Sequence, residues 1–371
     1  MKNKELKKGY TTGTCAAAAT LGAAIGAITG NKTDTVNIKT PKGEVLTLEL
    51  LEYCISNQKA SCAIQKNSGD DPDVTNGALI FATVTLKEKK EVTIIGGKGV
   101  GKVTKPGLAC EVSMAAINPV PRQMIMEQAK IAMELCGYDG GLEVEISVPN
   151  GEELAKKTFN PKLGIVGGIS ILGTSGIVEP MSEQALIDTI KVELSVRKAE
   201  GKEYIVITPG NYGQDFLRNQ TVICESDTIK CSNFVGEAID FANEMGFKGI
   251  IFSGHLGKLI KVAGGVMNTH SKYGDRRMEI LCEIAKVCGA SSETLDRISE
   301  CVMVDEGVSI IRSEQIEKDV MELLLFNIQK NIRERLNRQM EIGVIVFSNK
   351  YGLLGKTTNV EEIVIKMQGG K

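Results

Sequence analysis

Both histidines of the chain, His255 and His270, fall in one stretch, SGHLGKLIKVAGGVMNTHS, with Lys258 and Lys261 between them. Histidine takes up or gives a proton near neutral pH or ligates a metal, and a lysine beside it holds an anion. Further ligands at metal spacing are missing, so the stretch suits an anionic ligand with a proton to move. A purely structural histidine is the plain alternative. A second cluster, KNSGDDPDVTNG, crowds Asp70, Asp71 and Asp73 into one turn. The D-x-[DN]-x-[DN]-G spacing and distal Glu of a calcium loop are absent. Neighbouring carboxylates raise one another's pKa, which would make Asp70 or Asp71 a base or a partner for a ligand amine. Lys66 tempers the repulsion, and a solvated acidic turn is the alternative.

Glycine-rich stretches form a second group. IIGGKGVGKVTKPG nearly spells G-x-x-x-x-G-K-[ST], but Val103 stands where a magnesium-binding hydroxyl belongs. Pro106 and Gly107 follow at once and oppose the helix that a phosphate loop needs. Two readings remain: a turn between strands, or glycines that let the backbone approach a large flat ligand. GGISILGTSGIVEPMSE lacks the G-x-G-x-x-G fingerprint, yet it is expected to join the first strand of a second domain to its first helix. Cofactors bind at that place in open α/β sheets. TPGNYG, residues 208–213, ends the next strand and could line the same crevice. In GYTTGTCAAAA, Thr11, Thr12 and Thr14 precede a helix, where hydroxyls and free N–H groups make either an anion site or an N-cap.

The elements that must position these residues change character along the chain. In the first part, CAAAATLGAAIGAIT reads as a closely packed helix and TVNIKTPKGEVLTLEL as a hairpin around a Pro-Lys-Gly turn. ALIFATVTLKE and EVTIIGG read as strands, AINPVPRQMIMEQAKIAMELCG as a helix after its prolines, and LEVEISVPNGEEL as strand and turn. The polar, turn-rich PNGEELAKKTFNP places a domain boundary near residue 158. Beyond it strands alternate with helices. LGIVGGISI, EYIVITPG, TVICES, KGIIFSG and IGVIVFSN are expected strands. Helices are expected over 183–199 behind Ser182, from near Ser232 with Gly246 past the end, and over 314–338. The expected fold is thus α/β and α+β: a mixed α+β domain at 1–158, then a Rossmann-like α/β domain at 159–371.

Bulk properties narrow the class. The chain has 371 residues, net charge -2, 42% apolar and 24% charged residues, as in ordinary globular proteins. No dense basic tract with aromatics points to nucleic acid. The Ala-rich run after the basic N-terminus is broken by glycines and is too weakly apolar for a membrane span, so no membrane partner and a cytoplasmic location are expected. None of the ten cysteines forms C-x-x-C, and they read as reduced, mostly buried small apolar residues.

Taken in order, KGYTTGTCAAAA, GDDPDVTNG, GGKGVGKVTKPGL, AINPVPRQMI, LGIVGGISILGTSGIVEPMSE, PGNYG, SNFVGEAI and GHLGKLIKVAGGVMNTHS resemble the CbiD family of cobalt-precorrin-5B C(1)-methyltransferases, which act in anaerobic cobalamin biosynthesis. The resemblance covers nearly the whole chain. Asn76 stands where the family usually has His, so no role of that histidine carries over, and ACEVSMAAIN is less rich in Pro and Gly than the family's form. The resemblance implies methyl transfer from S-adenosylmethionine to C-1 of a contracted tetrapyrrole whose cobalt belongs to the substrate, giving S-adenosylhomocysteine and cobalt-precorrin-6A. The protein itself needs no metal. On that reading Gly168, Gly173, Thr174, Ser175 and Gly176 hold the methyl donor, with Gly210 and Asn211 beside them. Thr12, Thr14, Arg122, Lys258 and Lys261 meet substrate carboxylates. His255, then Asp70 and Asp71, accept a proton or orient the substrate. A homo-oligomer and transient contact with neighbouring pathway enzymes are the expected partners. A tetrapyrrole carrier without transferase activity and a nucleotide-dependent kinase remain as other classes.

Overall fold

The structure, a computed structural model, describes residues 6–210, 223 and 227–369. The chain forms two compact units, Met1–Ser182 and Glu183–Lys371.

In the first unit, helix α1 (Thr12–Thr29) is almost wholly buried. It packs on strands β5 (Lys59–Gln65) and β6 (Leu79–Lys87) and on helix α2 (Pro119–Leu135). Alanines and glycines permit that close approach: the Tyr53 hydroxyl donates to Gly22 O, and a Cβ on Gly26 would run into the Tyr53 ring. α1 is long and apolar enough to cross a membrane, but 83% of it is buried, so it is a core helix. The sheet beneath has the order β4-β5-β6-β10-β7, with β4 at Leu51–Ser56, β10 at Gly141–Ser147 and β7 at Val92–Gly96. Its pairs are antiparallel except β10–β7. The hairpin β2 (Thr35–Lys39)–β3 (Val45–Glu49) and the α2 start at Pro119 follow the turn and proline signals. β4 and β5 answer to no sequence expectation.

The boundary near 158 is corrected to Ser182/Glu183. The cause is three short ladders that hold 165–178 to the first unit. β11 (Ile165–Val166) pairs with β9 (Lys102–Val103), β12 (Gly168–Ile169) with β8 (Gly99–Val100), and β13 (Ile177–Val178) with β1 (Gly9–Tyr10). LGIVGGISI is therefore not the first strand of the second sheet. Gly167, at φ +78°, breaks it into two short pieces.

The second unit carries a sheet of order β15-β14-β16-β17-β18. Its strands are β14 (Tyr204–Thr208), β15 (Thr228–Lys230), β16 (Gly249–His255), β17 (Glu341–Ser348) and β18 (Gly352–Lys356). The first four are parallel and β18 is antiparallel to β17. The runs YIVIT and GIIFSG are continuously buried because both faces are covered. Ile205, Ile207 and Phe252 pack in the cluster with Leu194 of α4 (Glu183–Ala199), Ile239 and Leu259, while Val206 and Ile251 meet Ile363 from the far face. The helix expected over 314–338 is Glu317–Arg333, since Gln315 turns to φ +58° after the preceding helix Val304–Ser313. TVICES lies outside the described residues except for Ile223.

Candidate functional site

In the first unit three of the motif stretches meet at the N-terminus of α1. Thr11 caps it, its hydroxyl accepting from Thr14 N at 3.2 Å. Thr12 Oγ1 accepts from Leu172 N at 2.9 Å, and Thr14 Oγ1 donates to Gly176 O at 2.7 Å. Gly13 N donates to Leu172 O and Thr11 N to Gly176 O. Asn118, just before α2, donates its N–H to Ile171 O. Thr12 and Thr14 are buried, and their hydroxyls and the N–H groups of Gly13 and Thr14 have partners within the protein. Through these bonds they lash 170–177 to α1. Thr14→Val keeps the shape but removes one of the two donors to the Gly176 carbonyl, leaving it the Thr11 N–H. It is expected to cost about 1–2 kcal/mol, read as a lower urea midpoint at unchanged m-value.

The glycines of that strap have packing reasons. A Cβ on Gly168 would overlap the Gly99 carbonyl, one on Gly173 the Thr11 side chain, and one on Gly176 would sit 2.8 Å from Thr40 Cβ. Ser175 Oγ donates to Ile177 O at 2.9 Å, and Thr174 is exposed at the tip. The spaces these glycines leave are filled by the chain's own atoms, which is a packing reason for glycine at each position. Gly210 belongs to the second unit, and Asn211 lies outside the described residues. IIGGKGVGKVTKPG resolves the same way. β7 is present, no helix follows, and Gly99 and Gly101 lie against the backbones of 148 and 168. The glycine wall for a flat ligand is replaced by backbone-on-backbone packing.

The acidic turn folds around a different carboxylate from the two expected. Asp70, exposed, accepts from Lys7 N at 2.7 Å, and Asp71 accepts from Met181 N at 3.0 Å. They latch two chain segments. Asp73 carries the buried chemistry. Its Oδ2 lies 2.6 Å from the ammonium of Lys66, whose side chain is 2% exposed, and its Oδ1 accepts from Thr75 N at 2.8 Å and Thr75 Oγ1 at 2.7 Å. Burial opposes ionisation of Asp73, but the bonds from Lys66 and Thr75 outweigh it and hold the carboxyl below its usual range, the reverse of the mutual raising expected. The signal for Asp73 was the D-x-T spacing of a side-chain-closed turn. Asn76 Oδ1 accepts from Ser68 N at 2.9 Å and closes the loop. Lys66, Asn76, Gly77, Gln65, Tyr10 and Glu49 border an open cleft of about 390 Å³.

Arg122, half-buried on α2, donates to Ile94 O at 3.3 Å, and no carboxylate pairs with it among the described residues.

In the second unit, His255 ends β16 and caps the helix Leu256–Ala263, its Nδ1 accepting from Gly257 N at 3.0 Å. A neutral ring that accepts at Nδ1 carries its proton on Nε2. Burial pushes the imidazole below the usual histidine range, partly offset by the Asp305 carboxylate. The ring of Phe347 stands perpendicular to it at 5.9 Å. The helix cap thus engages the Nδ1 lone pair, and Nε2 is the ring nitrogen outside that cap. Lys258 is half-buried and donates to Ser232 O at 3.4 Å. Burial, then the neighbouring Lys261 charge, lowers its pKa, with the Cys231 thiol acting the other way. Lys261 is buried and donates to Gly274 O at 2.9 Å and Thr269 O at 3.3 Å. Those carbonyls belong to 269–274, and Lys261 ties that segment to its helix. His270 accepts from Lys272 N at a short turn.

Cys15, Cys62 and Cys231 are buried and their thiols are pushed up to about 12 by burial, which removes them as nucleophiles. Of the nine described cysteines Cys54 is exposed and five are half-buried, fewer buried than expected. Among the described residues no group of three or more His, Cys, Asp or Glu is gathered as for a metal ion.

The family model of CbiD matches residues 1–180, and that of the CbiD C-terminal domain matches 268–358. The chain is 49% identical to the cobalt-precorrin-5B C(1)-methyltransferase of Ruminiclostridium cellulolyticum over 93% of its length and 90% of the relative's. It is 43% identical to that of a Thermoanaerobacter species over 96% of each, and 40% identical to that of Citrobacter koseri over 98% and 96%. A crystal structure of a cobalamin biosynthesis protein (cbiD) from Archaeoglobus fulgidus is 31% identical, covers 73% of this chain and 84% of that one, and superposes with a TM-score of 0.40.

Proposed function

The chain belongs to the CbiD family, and from that premise we propose that it transfers a methyl group from S-adenosylmethionine to C-1 of cobalt-precorrin-5B, giving S-adenosylhomocysteine and cobalt-precorrin-6A in cytoplasmic cobalamin biosynthesis. The observation that carries this is identity of 49% along 93% of the chain to a relative of that name. The donor, when bound, supplies a methyl on a sulfonium. The protein's task is then to hold the two reactants in line and keep water out, which needs no covalent nucleophile. The second unit, as a Rossmann-like arrangement, offers His255 Nε2–H and Lys258 at the carboxyl ends of its strands. Arg122 of the first unit is a further candidate for a substrate carboxylate.

The test is anaerobic incubation of the protein with cobalt-precorrin-5B and methyl-labelled S-adenosylmethionine, followed by mass analysis of the macrocycle. One methyl added at C-1 is the expected product. Binding of the macrocycle without binding of the donor would sink the transferase reading and leave a carrier. His255→Asn retains a cap for Gly257 N but loses the Nε2 donor. Turnover is expected to fall about tenfold, with the thermal midpoint nearly unchanged. A general base would cost about 10²–10⁴-fold instead, so the size of the loss separates the two roles.

A further inference from the structure

The strand order of the second unit places a crevice. The chain passes from β14 to β15 on one side, then returns across β14 to β16 on the other. At such a reversal the connections leave the two central strands in opposite directions, and open α/β sheets bind ligands beyond the carboxyl ends of those strands. Gly210 follows β14, Cys231 and Ser232 follow β15, and His255 ends β16. Gly254 must be glycine there, because a Cβ would overlap Leu259 and press on Pro209 at 3.1 Å. That contact brings the end of β14 against the end of β16.

Lys258, in the first turn of the helix Leu256–Ala263, reaches over this point. Its Nζ is 3.4 Å from Ser232 O and 3.7 Å from the place a Gly210 Cβ would take. No carboxylate pairs with it among the described residues. A half-buried ammonium with one long bond to a carbonyl is under-satisfied, since three N–H donors are available. Its neighbour Lys261 has two carbonyls at 2.9 and 3.3 Å. A second orphan lies close in the chain. Ser253, wholly buried, stands two residues before His255 on the same face of β16, and its Oγ has no hydrogen-bond partner.

We propose that the β14/β16 crevice is a carboxylate-binding site in which Lys258 Nζ supplies the counter-charge to the ligand. This rests on the methyltransferase reading for the ligand's identity: the carboxylate belongs either to the amino-acid end of the methyl donor or to an acetate or propionate arm of the macrocycle. The charge balances without any proton or electron moving, so the site binds and orients rather than reacts.

The test is calorimetric binding to the full chain and to Lys258→Met and Lys258→Arg. The ligands are S-adenosylhomocysteine, 5′-methylthioadenosine, which keeps the nucleoside thioether and lacks the carboxylate, and cobalt-precorrin-5B. Lys258→Met is expected to weaken one carboxylate ligand about 10- to 100-fold and 5′-methylthioadenosine not at all, with part of the loss recovered by Lys258→Arg. Loss for S-adenosylhomocysteine assigns the donor, and loss confined to the macrocycle assigns an arm. Unchanged affinity for both in Lys258→Met overturns the proposal. Succinate, read by thermal unfolding, separates this from the functional reading. If it stabilises the wild type but not Lys258→Met while neither natural ligand binds, the site stands and the transferase reading falls. If succinate has no Lys258-dependent effect and neither ligand binds, the site falls too.

Discussion

Gly99→Ala is expected to lower stability by about 4 kcal/mol or more, enough to deplete the folded first unit. Two costs add. Gly99 sits at φ +72°, where an L side chain loses about 1–2 kcal/mol. The new Cβ would also overlap the Val148 carbonyl oxygen and reach 3.0 Å from Gly151 N, both backbone atoms that cannot rotate aside. The damage spreads, because the Gly99 carbonyl is the close neighbour of both Gly151 and Gly168. β8 and β12 would part, and with them the ladder that ties 168–169 to the unit. Gly167→Ala is the control. Gly167 has φ +78° and nothing within 4 Å of its Cβ position, so only the backbone cost of about 1–2 kcal/mol remains. Equal urea midpoints for the two variants would disprove the packing account and restore a ligand-based reason for the glycine.

Asp73→Ala is expected to cost about 3 kcal/mol, the low end for breaking a buried ion pair, because Asp73 itself keeps 27% side-chain exposure. The loss comes mainly from Lys66, whose ammonium stays buried with only Ser68 Oγ, at 2.5 Å, as partner. Lys66→Met combined with Asp73→Ala should therefore be more stable than Asp73→Ala alone, as a thermal or urea midpoint would show. The pH dependence has a definite sign. The Asp73 carboxyl is held below its ordinary 3.8, so the folded state binds that proton less readily than the unfolded state. The stabilisation is complete above that ordinary value and is lost as pH falls through the lowered one. The gap between wild type and Asp73→Ala is thus expected to be flat at neutral pH and to close below about pH 4. A gap that persists unchanged in acid would show that the ion pair is not its source.

Much of the architecture follows from local pattern. The Ala/Gly-rich α1, the hairpin around its Pro-Lys-Gly turn, α2 behind Pro119, and the apolar strands β14, β16 and β17 each repeat a period that one secondary structure satisfies. LGIVGGISI carries an equally apolar run, yet forms two short strands. Its partners, β8 and β9, lie far back in the chain, and the run alone gives no sign of them. β4 and β5 carry weaker alternation; β5 takes its register from β6, and β4 from β5.

The chain alone determines the family-wide motif order, the helix caps and the places where glycine or proline turns the backbone. Tertiary structure decides which polar side chains remain for a ligand. Thr12 looks like an anion donor until Leu172, 160 residues away, engages its hydroxyl. Asp70, Asp71 and Asp73 are interchangeable in sequence, but only Asp73 meets the buried Lys66. Lys258 and Lys261 are alike and one turn apart, but two carbonyls from the 269–274 segment engage Lys261, while Lys258 is left at the strand ends with a single long bond. The physical reason is the same each time. A hydroxyl, carboxylate or ammonium has a fixed chemistry, but its availability depends on burial and on partners brought by distant segments, and no local spacing encodes those.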